Sequence, residues 1–249
     1  MADDQESFLS HLVELRDRLI RILIVLLIAF VPLAFFAREL YSLFAAPLLA
    51  TLPAGGKMIA TDVVGVFLVP MKVALMVAFL VVLPYILYQI WAFVAPGLYA
   101  HEKKLALPLL VASVLLFFVG MAFAYFAFFP MVFGFMSKFA PEGVAWMTDI
   151  EKYFSFVLGM FLAFGATFEV PVIVILLVKT GVVSVARLRE WRPYVIVGAF
   201  VVGAIFTPPD VISQFMMAVP LWLLYEVGIV LAGFISQKEA PVSAADIAD

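Results

Sequence analysis

A chain of 249 residues that is 66% hydrophobic and only 13% charged carries more apolar side chain than an interior of its size can hide, which excludes an ordinary soluble domain. A net charge of −3 with no basic cluster speaks against a nucleic-acid partner. With no Cys, disulfides, iron–sulfur clusters and thiolate metal sites are excluded too.

The first residues include Asp3, Asp4 and Glu6, where a cleavable signal would have a basic start, so the first apolar run reads as an uncleaved span. Phe8, Leu12, Leu15 and Leu19 recur at helical spacing and predict an amphipathic start lying along the membrane surface. A bilayer core about 30 Å thick needs roughly 20 apolar residues in a helix, and six segments are candidates. Span one is expected over 19–37, with Arg21 near enough to its end to snorkel. A long loop over 38–70 follows, punctuated by Pro53-Ala54-Gly55-Gly56. Span two, over 71–94, contains Pro84 and Gln89, and Pro96-Gly97 ends it in a tight turn. Span three runs uncharged over 105–136, longer than a crossing needs, so it should tilt or project. Span four, over 153–178, carries Glu169. Span five has only 194–206 between Pro193 and Thr207, and it returns at once through Thr207-Pro208-Pro209-Asp210. Span six, over 211–235, is interrupted by Glu226, and the polar tail 236–249 reads as disordered.

The fold class expected is therefore an all-α polytopic integral membrane protein with six transmembrane helices in one domain over 1–235, the fifth and sixth spans short. Six spans put both termini on one side, together with the 95–104 and 179–193 loops. That side holds Arg16, Arg18, Arg21, Lys103, Lys104, Lys179, Arg187, Arg189, Arg192 and Lys238, against Arg38, Lys57, Lys72, Lys138 and Lys152 on the other. The positive-inside rule makes the richer side cytoplasmic.

Polar residues in this setting are the candidates for chemistry. Glu14 and Arg18 stand at i,i+4, the spacing of an ordinary ion pair on a solvated helix face. The topology also puts Glu14 and Glu102 on one membrane side, near Trp91 and Tyr99. Two carboxylates beside aromatic rings would suit a ligand with paired guanidinium groups, since Arg–carboxylate contacts have a fork geometry that Lys cannot match. The aromatic rings are equally well explained as an interfacial belt. Glu169 lies inside a span, where an ionisable group costs roughly 2.5–3.5 kcal/mol on insertion scales and is a functional hypothesis by default. Pro171 should kink the helix beside it. Asp210 and Gln214 add polar groups near the short hairpin, and Glu226 is a weaker candidate. Both His residues are in membrane-flanking segments, and no G-x-S-x-G, H-E-x-x-H or P-loop occurs, so an enzyme is not expected. A proton-coupled transporter using Glu169 is the rival reading, but the paired broken helices of such folds have no counterpart in the first half.

The motifs, in order, resemble one family. Ser10-His11-Leu12-Val13-Glu14-Leu15-Arg16-Asp17-Arg18-Leu19, the loop 91–102, Phe168-Glu169-Val170-Pro171, Arg192-Pro193-Tyr194, Thr207-Pro208-Pro209-Asp210 and Ser213-Gln214 are similar to TatC, the multispanning subunit of the twin-arginine protein translocase. The resemblance covers about 10–235. It implies a receptor in the cytoplasmic (inner) membrane for precursor signal peptides with consecutive arginines, held by Glu14 and Glu102 with Arg16, Leu12 and Phe93 shaping the groove. It implies structural roles for Pro47, Pro96 and Gly97. It further implies that Glu169, Thr207, Asp210 and Gln214 face single-span partners of the TatA and TatB type in a multi-copy complex driven by the proton-motive force, without nucleotide, metal or other cofactor.

Overall fold

The computed structural model describes residues 2–50, 58–94, 103–138 and 147–237, the backbone alone at 2–10, 47–48, 94, 103–106 and 235–237. The 53–56 turn, the 95–102 loop with Pro96, Gly97 and Glu102, and the tail beyond 237 lie outside the described residues. The described chain is helical apart from one isolated parallel bridge between Ile59 and Asp149. Among the described residues four helices are long and apolar enough to cross a membrane, or five if one bent pair counts as a single span. Their outward faces carry large apolar side chains such as Ile28, Val81, Leu115 and Phe234, each more than 60% exposed. That surface needs lipid as its solvent. This is an all-helical membrane protein.

Two compact units divide the chain, Met1–Leu162 and Ala163–Asp249. The first begins with α1 (Ala2–Ala34), which continues from the amphipathic start into the apolar run without a break. Pro32 has no N–H to extend the ladder, and Phe35 and Phe36 donate to the carbonyls of Pro32 and Leu33 in tight turns. The chain bends there by 88° into α2 (Ala37–Leu49). Span one thus stops three residues earlier than expected, and part of the predicted loop is helix.

Pro47 sits inside α2, where its missing N–H deprives the Leu43 carbonyl of its i+4 partner. The Tyr125 hydroxyl donates to that carbonyl at 3.0 Å, and Tyr153 donates to Phe44 O at 3.0 Å. The Tyr125 hydroxyl thus replaces the partner that the helical ladder cannot supply there.

The next helix, α3 (Gly65–Val94), starts six residues before the expected span and packs against α1, α2 and α4 (Lys103–Phe123). A π-helical turn at Ala124–Phe128, in which Phe129 N–H donates to Ala124 O, separates α4 from α5 (Phe129–Lys138). The extra residue shifts the register immediately before Pro130, whose ring would otherwise press on the carbonyl one turn back. Around this turn Phe128, Phe129, Phe133, Phe154 and Phe161 form the buried centre of the unit, with Phe129 edge-on to Phe161 at 5.3 Å.

Asp149 opens α6 (Ile150–Phe168). Its Oδ1 accepts the N–H groups of Glu151 (2.9 Å) and Lys152 (3.1 Å), an N-cap, while Oδ2 accepts Thr61 N–H (3.0 Å) and Thr61 Oγ1–H (2.5 Å). The capping carboxylate thereby latches the segment before α3, and Ile59 exchanges backbone bonds with Thr148 and Ile150 beside it.

In the second unit α7 (Val170–Lys179) packs on α10 (Val211–Gln237), and α9 (Arg192–Phe206) forms a hairpin with α10. The chain breaks at Glu169, just before the Pro171 that predicted the kink. Short α8 (Val185–Glu190) is capped by Ser184, and Tyr225 OH donates to Leu188 O at 2.8 Å. Glu226 pairs with Arg192 at 2.6 Å, so its interruption of the sixth span has a local partner. Glycines permit the close approaches. A Cβ on Gly228 would lie 3.0 Å from both Pro171 Cα and Val174 Cβ.

Two outcomes follow for folding. The four donors hold the Asp149 carboxyl down at about 2, from an ordinary 3.8, with the Thr61 hydroxyl bond the largest cause. Its contribution is complete above about pH 4 and is lost as pH falls through about 2. Melting of the detergent-solubilised protein should therefore fall across that window in the wild type. Asp149→Asn should start lower at neutral pH and fall less. Gly228→Val should lower thermal stability by about 1–3 kcal/mol through overpacking, whereas Gly233→Ala, with open space around its Cβ, should leave it unchanged in the same melting assay.

Candidate functional site

At its amphipathic end α1 places His11, Glu14 and Arg18 at i, i+3 and i+7, one face of the helix. That face meets the last turns of α3. Arg18 donates to Glu14 Oε1 through Nε (3.0 Å) and Nη2 (2.6 Å), to Gln89 Oε1 through Nη1 (2.8 Å), and to Ala92 O through Nη2 (3.2 Å). Gln89 is 4% exposed and donates its own Nε2–H to the Tyr85 hydroxyl at 2.7 Å. The His11 ring stacks on Phe93 at 4.2 Å with 17° between planes, and its Nδ1 lies 3.9 Å from Glu14 Oε2. Oε1 of Glu14 is thus fully engaged, while Oε2 accepts no hydrogen bond among the described residues.

The expected groove residues divide. Glu14 and Phe93 come together through His11. Leu12 and Arg16 share a neighbouring face of α1 and are exposed, with Arg16 paired to Asp17 at 2.8 Å. Trp91 is no belt residue, being buried and donating Nε1–H to Ser113 Oγ at 3.3 Å. Glu102 and the Pro96-Gly97 turn lie outside the described residues. Sequence reasoning did not assign Arg18 or Gln89 to the site. The i,i+4 pairing of Arg18 was visible, as was a lone amide in an apolar span, but the link between them is tertiary.

A second polar group forms at the α9–α10 turn. Asp210 Oδ1 accepts Ser213 N–H at 2.7 Å and caps α10. Thr207 Oγ1 donates to Gly203 O at 2.8 Å, and Gln214 Nε2 donates to Phe200 O at 3.0 Å. A Cβ on Gly203 would come within 3.1 Å of Gln214 O, so the small residue sets this spacing. Glu169, half-buried at the α6–α7 break, is not part of this cluster. Pro171 lies against Gly228, which is about 21 Å along α10 from Gln214 at 1.5 Å per residue. Glu169 is therefore roughly two helical turns or more from the hairpin residues it was grouped with.

The chain can now be set beside known proteins. The family model described as Sec-independent protein translocase protein (TatC) matches residues 10–220. The TatC of Azotobacter chroococcum is 52% identical over 97% of this chain and 95% of its own length. The TatC of Escherichia coli K12 is 51% identical over 93% and 90%. A solved structure described as the twin-arginine translocase receptor TatC superposes with a TM-score of 0.79 at 39% identity, covering 91% of this chain and 99% of that one. With half its residues shared along nearly its whole length, and the same fold, this multi-pass membrane chain belongs to the TatC family of protein-translocase subunits, which are transport proteins and not enzymes.

Proposed function

We propose that the protein crosses the membrane six times with both termini cytoplasmic, as one domain over 1–235, and receives twin-arginine signal peptides of folded precursors at Glu14 and Glu102. In this reading α9 is the fifth crossing. Its 15 residues cover about 22 Å, so the bilayer thins beside it or water enters. The observation that carries the reading is the Arg18 guanidinium seated on Glu14, with a second carboxylate oxygen left over. A carboxylate that holds one guanidinium in this setting has the chemistry to hold another. Leu12 and Arg16, on the exposed face alongside, border the path of the peptide, and Phe93 backs it through the His11 stack.

Thr207, Asp210 and Gln214 form one docking patch for single-span partners of the TatA and TatB type, and Glu169 a separate polar point deeper in the membrane. Pro47, Pro96 and Gly97 serve structure. The assembly is multi-copy and draws on the proton-motive force, without nucleotide or other cofactor.

Replacing Glu14 and Glu102 together with Ala should abolish photo-crosslinking to a twin-arginine precursor while the protein still inserts in the membrane. Undiminished crosslinking would overturn the receptor assignment, as would equal docking of precursors with both tag arginines changed to Lys. For Glu169→Ala, co-purification of the single-span partners should fall more than signal crosslinking; equal loss of both would mark a folding defect instead of a docking point.

A further inference from the structure

Arg18 is more than the solvated partner of Glu14. Its side chain is 19% exposed against 66% for Arg16, two residues away, and it gives two further donors to α3. The Ala92 carbonyl it reaches is among the last four of a helix ending at Val94, which have no intrahelical partner and carry the negative end of the helix dipole. Gln89, fixed by Tyr85, supplies the third acceptor. One guanidinium therefore ties the middle of α1 to the last turns of α3, immediately before the segment that leads to Glu102.

We infer that Arg18 is a positioning residue that sets the specificity of the Glu14 site for guanidinium over ammonium. The inference rests on the receptor reading above and concerns how that site discriminates. Two N–H groups on the single atom Oε1 fix the carboxylate plane and use that oxygen up. They also offset the Glu14 charge, so a bare cation gains little there. What remains is Oε2, which accepts no hydrogen bond among the described residues, is held in one direction and has His11 Nδ1 3.9 Å away. A tag arginine can place two N–H groups on it, in the same manner as Arg18 on Oε1, whereas an ammonium is a point charge without a planar fork. A Glu14 released from Arg18 would turn freely and attract either cation by charge alone.

The test uses the purified full-length protein and two fluorescent peptides, with Arg-Arg or Lys-Lys ahead of the same apolar stretch. Anisotropy titrations give the ratio of the two affinities. Arg18→Gln should reduce the Arg-over-Lys preference by about tenfold or more, comparable to one charged hydrogen bond, chiefly by weakening the Arg-Arg peptide. Arg18→Lys should restore part of the Arg-Arg affinity. Gln89→Leu keeps the Glu14 contact but cuts the anchor to α3, and should erode the same preference to a smaller degree. A merely structural role would weaken both peptides alike and leave the ratio unchanged. An unchanged ratio in a folded Arg18→Gln protein, or tighter Arg-Arg binding there, overturns the inference; if that variant does not fold, an unchanged ratio in Gln89→Leu overturns it. Glu14→Gln separates the two levels of the argument. Full Arg-Arg binding in that variant refutes the receptor reading itself, while its loss alongside an unaltered ratio in the Arg18 and Gln89 variants refutes only the role of Arg18.

Discussion

Backbone polar groups left without a helical partner cost free energy wherever water cannot reach them, and satisfying them organises many of the contacts in this fold. At several interruptions of the helical ladder a specific side chain fills the gap. The Tyr125 hydroxyl serves the Leu43 carbonyl that Pro47 strands, and Gln214 reaches back to Phe200 O across the α9–α10 hairpin. Thr207 returns its hydroxyl to Gly203 O at the end of α9, and Asp210 and Asp149 cap the helices that follow them. Where the partner comes from another helix, as Tyr125 and Gln214 do, it also ties that helix to the interrupted one.

The membrane-spanning segments are legible in the sequence because lipid imposes a crude demand, about 20 apolar residues in a row, and composition answers it directly. What composition does not contain is direction. Pro32 marks the end of α1, yet nothing in the run 19–37 says that the chain then turns by 88° and continues as helix. The π-helical turn before Pro130 is similarly hidden, since proline announces a disturbance without specifying how it is absorbed. Polar positions were legible as anomalies: Gln89, Glu169, Asp210 and Glu226 all stand out against their apolar neighbours. Their partners were not. Glu226 finds Arg192, 34 positions earlier, and Gln89 finds Arg18, 71 positions earlier, and neither spacing belongs to any local pattern.

Close packing follows a related logic. Lipid tails are as apolar as leucine, so helices gain nothing from hydrophobicity by meeting one another and rely on contact area and fit. Gly228 lets the α7 backbone approach α10 at Pro171, and Gly203 lets α10 approach α9 at Gln214. The second contact has a polar consequence as well, for the Gln214 amide can reach Phe200 O only because the helices are close there. Small residues and hydrogen bonds are coupled choices in this unit. Gly233, with nothing near its Cβ, shows that glycine in α10 is not by itself a sign of packing.

The same accounting separates polar residues that the fold consumes from those it leaves available. Asp210 is used as a cap and Thr207 as a backbone acceptor's partner, so any part they play toward another protein is added to a structural duty, and loss of function on their removal has two sources. Glu14 differs. One of its oxygens is saturated by Arg18 and the other accepts nothing among the described residues, although the carboxylate is 39% exposed and sits beside a stacked His11–Phe93 pair. The guanidinium does more than complete a solvated ion pair, for it continues to Gln89 and the Ala92 carbonyl. That extra anchoring costs side-chain entropy at an otherwise open surface, and in return it ties α1 to the last turns of α3 and holds the Glu14 carboxylate in one orientation.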